Sequence, residues 1–156
     1  MSSGFIRKAS LYDLDEIIKI EGNCFKESLA YSPKQLKYLL LKANSNFLLE
    51  TIQDAIRGFI IILYKRNSDI AGVETLNVDP LHQGKGIGKK LLNAAEIDMF
   101  NRGIKKIRLE VSTGNQRAIS LYEKSGFRIT ALLKNYYKYE HYDSHDAFRL
   151  VKNLTT

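Results

Sequence analysis

A single cysteine, Cys24, in 156 residues excludes an internal disulfide and fits a reducing compartment. Its neighbours Ile20 and Phe25 suggest a helix end packed on the core, and no general base or orienting partner stands beside it, so it reads as a structural thiol rather than a nucleophile. Long apolar runs are also missing. The longest, Phe59 to Tyr64, is too short to span a bilayer, and Met1-Ser2-Ser3-Gly4-Phe5 has no apolar signal region. The expectation is a cytoplasmic protein with no membrane partner. No internal repeat, low-complexity tract or linker divides the chain, which leaves one domain over residues 1–156 with interior enough for a single core.

Acidic residues are in deficit: 24 Lys and Arg against 17 Asp and Glu leave a formal charge of +7. That field favours anionic partners. The cations are spread along the chain and no RNA-binding signature appears, so nucleic acid is not the expected substrate. A mildly basic surface with a basic groove for an anionic ligand is the expectation instead.

Apolar spacing and capping residues set the element order. Phe5 to Lys8 reads as a short strand. Ser10 caps a helix with Leu14, Ile17 and Ile18 on one face, ending near Gly22. Ser32-Pro33-Lys34-Gln35 opens a second helix with a capping box, and Leu36, Leu39, Leu40 and Ala43 form its stripe. Strands follow at Phe47 to Thr51, Ile56 to Tyr64 and Ile70 to Val78, an antiparallel meander. Ile87, Leu91, Leu92, Ala95 and Met99 recur at helical spacing, and Gly103 stops that helix. A strand over Lys105 to Val111, a short helix capped by Asn115, and strands over Phe127 to Tyr139 and Phe148 to Leu154 complete the chain. The class is α/β (α+β), a mixed and largely antiparallel sheet flanked by helices in the order β-α-α-β-β-β-α-β-α-β-β.

Chemistry concentrates where the third of those meander strands runs into Gln83-Gly84-Lys85-Gly86-Ile87-Gly88-Lys89. Alternating glycines let backbone N–H groups converge, and the helix N-terminus behind them favours an anion. A Walker loop is excluded because Lys89 stands five residues after Gly84 and no hydroxyl residue follows. The dinucleotide pattern G-x-G-x-x-G fails as well. What remains, Gln-x-x-Gly-x-Gly at Gln83, Gly86 and Gly88, resembles the acetyl-coenzyme A signature of the GNAT superfamily of N-acetyltransferases. About 30 residues on, Val111, Asn115, Ala118, Leu121, Tyr122, Gly126 and Phe127 fill every fixed position of that family's V-x-x-x-N-x-x-A-x-x-L-Y-x-x-x-G-F motif.

The resemblance covers most of the chain and implies acetyl-coenzyme A as cofactor. Its pyrophosphate would be held by the turn from Gln83 to Lys89, and its pantetheine by the Leu76-Asn77-Val78 strand edge and by Asn115. Asn115 is equally a helix cap. Tyr122 is either a packing residue or, as in the family, the acid that returns a proton to the departing thiolate; with an ordinary pKa of about 10 it stays protonated at neutral pH.

Leu109-Glu110-Val111, Asn135-Tyr136-Tyr137 and Asp146-Ala147 are similar to the N-terminal protein acetyltransferases, including the RimI type. This implies direct transfer to the α-amine of a protein or peptide, with ribosomal proteins among the candidates, in a monomer or homodimer. Glu110 is the candidate base, a salt bridge being its alternative. Glu27 and Tyr31, between the first two helices, and Tyr136 and Tyr137, with Tyr139 and Tyr142 beyond, are candidate walls of the acceptor groove; loop exposure or packing is the alternative for each. An α-amine with a pKa near 8 is roughly 10% neutral at pH 7 against about 0.04% for a lysine amine, a difference of about 250-fold that favours the α-amine when the base is weak. A lysine or polyamine acceptor, or a non-catalytic coenzyme A-binding module, stays open. His141 and His145 have an i,i+4 spacing that suits zinc on a helix, but their segment reads as a turn between strands without further ligands, and no metal is expected.

Overall fold

The computed structural model describes residues 4–26 and 29–154. Seven strands, β1 (Phe5–Lys8), β2 (Ser45–Ile52), β3 (Ala55–Tyr64), β4 (Ile70–Val78), β5 (Lys106–Ser112), β6 (Arg128–Leu133) and β7 (Ala147–Asn153), form one sheet in the order β1-β2-β3-β4-β5-β7-β6. Every neighbouring pair is antiparallel except β4 and β5, which are parallel. Among the described residues four α-helices flank it: α1 (Leu14–Cys24), α2 (Pro33–Leu41), α3 (Ile87–Asn101) and α4 (Gln116–Lys124). This is the predicted order.

The central strand β3 is buried on both faces, which is why it reads in the sequence as an unbroken apolar run. Phe59 and Ile61 pack with Ile17, Ile20, Leu36 and Leu39 of α1 and α2. Ile60 and Ile62 pack on the other face with Leu91, Leu92, Ala95 and Met99 of α3. Each such Leu, Ile, Phe or Met side chain, taken fully out of water, contributes about 1.5–3 kcal/mol. No helix among the described residues is long and apolar enough to cross a membrane.

Two boundaries differ from the sequence reading. Helix α1 does not stop near Gly22 but runs to Cys24, because Glu21 in its last turn is a buried hydrogen-bonding residue and the Cys24 thiol reaches the Val78 carbonyl at 3.4 Å. The expected strand from Phe127 to Tyr139 ends at Leu133. Asn135 takes a left-handed φ of 54° and gives its N–H to the Asp146 carboxylate at 2.9 Å instead of to a ladder. Residues 134–146 therefore form a loop rather than extended sheet.

The Arg57 guanidinium is clamped onto the Glu50 carboxylate by two bonds, at 2.8 and 2.5 Å, inside the β2–β3 ladder. Glu50 is only 1% exposed. Losing one partner strands a charge in the interior, so Arg57→Ala is expected to lower unfolding free energy by about 3–5 kcal/mol in urea titration. Replacing both residues by Leu and Met should recover most of that loss; equal destabilisation by the single and double variants would show that the ion pair is not the cause.

Candidate active site

The parallel β4–β5 pair is short. It holds through Ile70↔Lys106, Ala71↔Ile107 and Gly72↔Arg108 and then parts, although β4 continues to Val78 and β5 to Ser112. Where it parts, β4 carries a bulge: Ile62 faces Val73 and Ile61 faces Thr75, which leaves Glu74 as the extra residue. The bulge switches the parity of the strand. Val73, and then Leu76 and Val78, face α3, while Asn77 turns to α1.

Antiparallel pairing spends alternate amides. The Asp79 N–H bonds the Arg57 carbonyl at 2.8 Å, so Asn77 and Thr75 point their amides at β3, and Leu76 and Val78 turn theirs into the gap. The Val78 carbonyl in that gap receives the Gln83 side-chain amide at 3.3 Å as well as the Cys24 thiol.

Beyond β4 the chain makes a short 3₁₀ turn (Pro80–His82) and enters the glycine turn. Gly84 and Gly86 have φ of 80° and 78°, conformations that side chains resist. Gly86 is the N-cap of α3 and supplies no capping side chain, so the first N–H groups of this 15-residue helix stay available. A cavity of about 270 Å³ opens there, lined by Gly84, Gly86, Gly88, Lys89, Arg117 and Asn115, with cations and no carboxylate among its described lining residues. Arg117 reaches over from α4 and donates to Gln83 at 2.5 Å. An anion held by backbone amides fits this turn, and the pyrophosphate of coenzyme A is such an anion.

A second cavity, of about 410 Å³, fills the gap between β4 and β5. It shares Leu76, Val78, Gln83, Asn115, Ala118, Tyr122 and Tyr142 with the first, so the two form one channel. Its own lining is of the opposite character: Glu21, Glu74 and Glu110 with Phe25, Tyr31, Tyr137 and His141, and no Lys or Arg among the described lining residues.

Tyr122 sits at the junction. Its ring is 6% exposed and packs edge-on to Phe127 at 5.5 Å. Burial holds the phenol protonated well above its ordinary range. Glu110 lines this second cavity and is ion-paired, to Arg149 at 3.0 Å and Arg108 at 3.7 Å, so the salt bridge raised by the sequence is present while the carboxylate still borders the cavity. Asn115 caps α4 by accepting the Ala118 N–H at 3.2 Å and lines both cavities. Asn77 donates its side-chain amide to Glu21 at 2.7 Å and lines the second cavity but not the one at the glycine turn.

The candidate acceptor residues divide. Glu27 lies outside the described residues. Tyr31 lines the cavity, its N–H on Glu21 at 2.9 Å and its hydroxyl on Glu74 at 2.5 Å. Tyr137 lines it too, stacked on His141 at 4.0 Å. Tyr136 stands outside the lining with its hydroxyl 3.5 Å from Glu110, and Tyr139 is exposed. The 134–146 loop is seated by Ser112, whose hydroxyl donates to the His141 carbonyl at 2.5 Å, and by Thr113 and Ser144 at 2.7 Å. Gly114 makes the fit possible, because a Cβ there would collide with the Tyr142 carbonyl. His141 and His145 place Nδ1 3.0 Å from the Tyr139 and Tyr137 carbonyls, within this loop.

Sequence reasoning missed Glu21, Glu74 and Arg117. A glutamate on the apolar face of α1 and an arginine two residues after the Asn115 cap were visible signals. The bulge that turns Glu74 into the gap was not.

Residues 11–127 match the acetyltransferase (GNAT) family, and the chain belongs to it. Over 101 residues it is 40% identical to the ribosomal protein bS18 alanine N-acetyltransferase of Haemophilus ducreyi, covering 65% of this chain and 63% of that one. It is 38% identical over 77 residues to the N-alpha-acetyltransferase RimI of Mycobacterium tuberculosis, covering 49% of this chain and 47% of the relative. These alignments span less than two thirds of either relative. Among solved structures, the ribosomal-protein-S18-alanine N-acetyltransferase from Escherichia coli superposes with a TM-score of 0.86 at 25% identity, over 98% of this chain and 95% of that one. Ard1 from Thermoplasma volcanium gives 0.87 at 28%, over 99% and 100%.

Two outcomes follow from the carboxylate-lined cavity. Burial, with Glu21 and Asp79 nearby, pushes the Cys24 thiol up to about 12. At pH 8 such a thiol is ~10⁻⁴ ionised against roughly a quarter for an ordinary cysteine, so alkylation in the native state should be ~10³-fold slower than in urea. Equal rates would contradict the burial. Glu21→Gln keeps one acceptor for two donors, Asn77 Nδ2 and Tyr31 N–H; it should cost about 1–3 kcal/mol in chemical unfolding, and an unchanged midpoint would contradict that pairing.

Proposed function

We propose that this chain transfers an acetyl group from acetyl-coenzyme A to the free α-amine at the N-terminus of a protein. The observation that carries the reading is the polarity of the channel: its glycine-turn end offers backbone amides, Lys89 and Arg117, its other end offers carboxylates and aromatic rings, and Tyr122 stands where they meet. An anionic donor and a cationic acceptor would thus enter from opposite sides. The likeness to relatives named for the alanine of ribosomal protein bS18 supports a protein N-terminus, with a ribosomal protein as one candidate, and a cytoplasmic enzyme.

When bound, the thioester supplies an activated acyl group. The turn residues from Gln83 to Lys89, with Arg117, would hold its pyrophosphate, and the Leu76 and Val78 amides would orient the pantetheine and stabilise the developing oxyanion, an effect typically worth a few kcal/mol. Glu110 receives the proton of the acceptor amine, directly or through water. Tyr122, at the junction and protonated, would give its proton to the sulfur as the carbon–sulfur bond breaks and would regain one from water or from Glu110 at the end of the cycle. Tyr31 and Tyr137 flank the incoming chain.

The three carboxylates of the acceptor cavity also suit a lysine side chain or a polyamine, and this second reading is separable. Release of free coenzyme A is measured with peptides of varied first residue, each paired with an α-blocked version retaining an internal lysine. Turnover confined to free α-amines is expected. Turnover with blocked peptides or spermidine alone would replace the reading. Tyr122→Phe should lower kcat by ~10²-fold while coenzyme A binding by calorimetry persists; unchanged turnover would remove the acid role.

A further inference from the structure

The acceptor-cavity carboxylates are not equivalent. Glu110 is paired with Arg149 and Arg108. Glu21 is 1% exposed and saturated by the Asn77 and Tyr31 N–H donors. Glu74 is exposed on the cavity wall. Among the described residues it has one partner, the Tyr31 hydroxyl on Oε1 at 2.5 Å, and no Lys or Arg within ion-pairing distance.

Its direction is set by the backbone. Glu74 is the bulged residue of β4, so it leaves the pleat just where the strand parts from β5. Tyr31, tied by its own N–H to Glu21 and by its hydroxyl to Glu74, fixes one carboxylate oxygen and leaves Oε2 without a described partner. The place along the strand is informative too. Leu76 and Val78 reach the junction with Tyr122, and Glu74 lies two residues before Leu76, roughly 7 Å at the strand rise. That is about two residues of extended peptide. With the reacting amine at the junction, the group that meets Glu74 belongs to the second or third residue of the acceptor.

We propose that Glu74 is a specificity-determining residue which receives a cationic side chain at the second or third position of the acceptor, so that N-termini followed closely by Lys or Arg are preferred. The inference rests on the N-terminal reading above and adds to it the charge of the sequence being read. A partly exposed ion pair changes affinity by up to about fivefold, and a like charge in the same place penalises by a similar factor. The preference falls on KM and shrinks as salt rises.

The test is kcat/KM for three six-residue peptides sharing a first residue and carrying Lys, Ser or Glu at positions two and three. Wild type, Glu74→Gln and Glu74→Lys are compared at low and high salt. Wild type should rank Lys over Ser over Glu, with roughly twentyfold between the extremes. Glu74→Gln should bring that spread below about threefold, and Glu74→Lys should invert it, both with unchanged KM for acetyl-coenzyme A. A flat wild-type ranking overturns the proposal while leaving N-terminal acetylation intact. So does a uniform fall in kcat in Glu74→Gln with loss of the acidic limb of the pH profile, which would make Glu74 the base. Absence of turnover on any free α-amine, with activity on blocked peptides or polyamines, defeats the N-terminal reading itself.

Discussion

The separation of β4 from β5 is the constraint on which the rest of this molecule depends. Two parallel strands that stayed paired would bury their amides in each other and leave no opening in the middle of the sheet. Here the ladder lasts three residue pairs, and the strands then diverge around the bulge at Glu74. The divergence frees the Leu76 and Val78 amides, admits Tyr122 from α4 to the sheet centre, and makes room for chains to approach from two directions. A sheet can tolerate this because both flanks are held elsewhere, β4 by its long ladder with β3 and β5 by seven pairs with β7.

Charge is distributed along that opening in a way that net charge does not describe. The excess of cations over the whole chain suggests only an anionic partner. In the structure the cations gather at one end, where Lys89 and Arg117 flank the glycine turn, while Glu21, Glu74 and Glu110 gather at the other. Low-dielectric walls focus such a field. Each half is thereby matched to ligands of one sign, and aromatic rings line the walls on the carboxylate side.

Much of this was legible in the sequence because the signals are local. The capping box at Ser32 and Gln35, the apolar stripes of α1 to α3, and the two motifs at Gln83 to Lys89 and Val111 to Phe127 each depend on residues a few positions apart, and the elements they mark are present. Where reading failed, the cause was non-local. Helix α1 passes Gly22 because Glu21 finds Asn77, 56 positions away, and the thiol of Cys24 finds Val78. The strand after Phe127 stops early because Asn135 is drawn to Asp146. Glu74 looked like an ordinary position on a strand; only the register slip between β3 and β4 turns it into the gap. Glu110 shows a different limit, since the sequence offered base and ion pair as alternatives and the structure has the carboxylate facing the cavity and paired at once.

The 134–146 loop is anchored through Ser112, Thr113 and the bare Cα of Gly114, on the same few residues that lead into the Asn115 cap of α4. The loop that walls the carboxylate-lined cavity and the helix start that borders the glycine turn therefore share one anchor. A side chain at Gly114 would therefore disturb both ends of the channel together, by driving the Tyr142 carbonyl off the strand end that leads into the α4 cap.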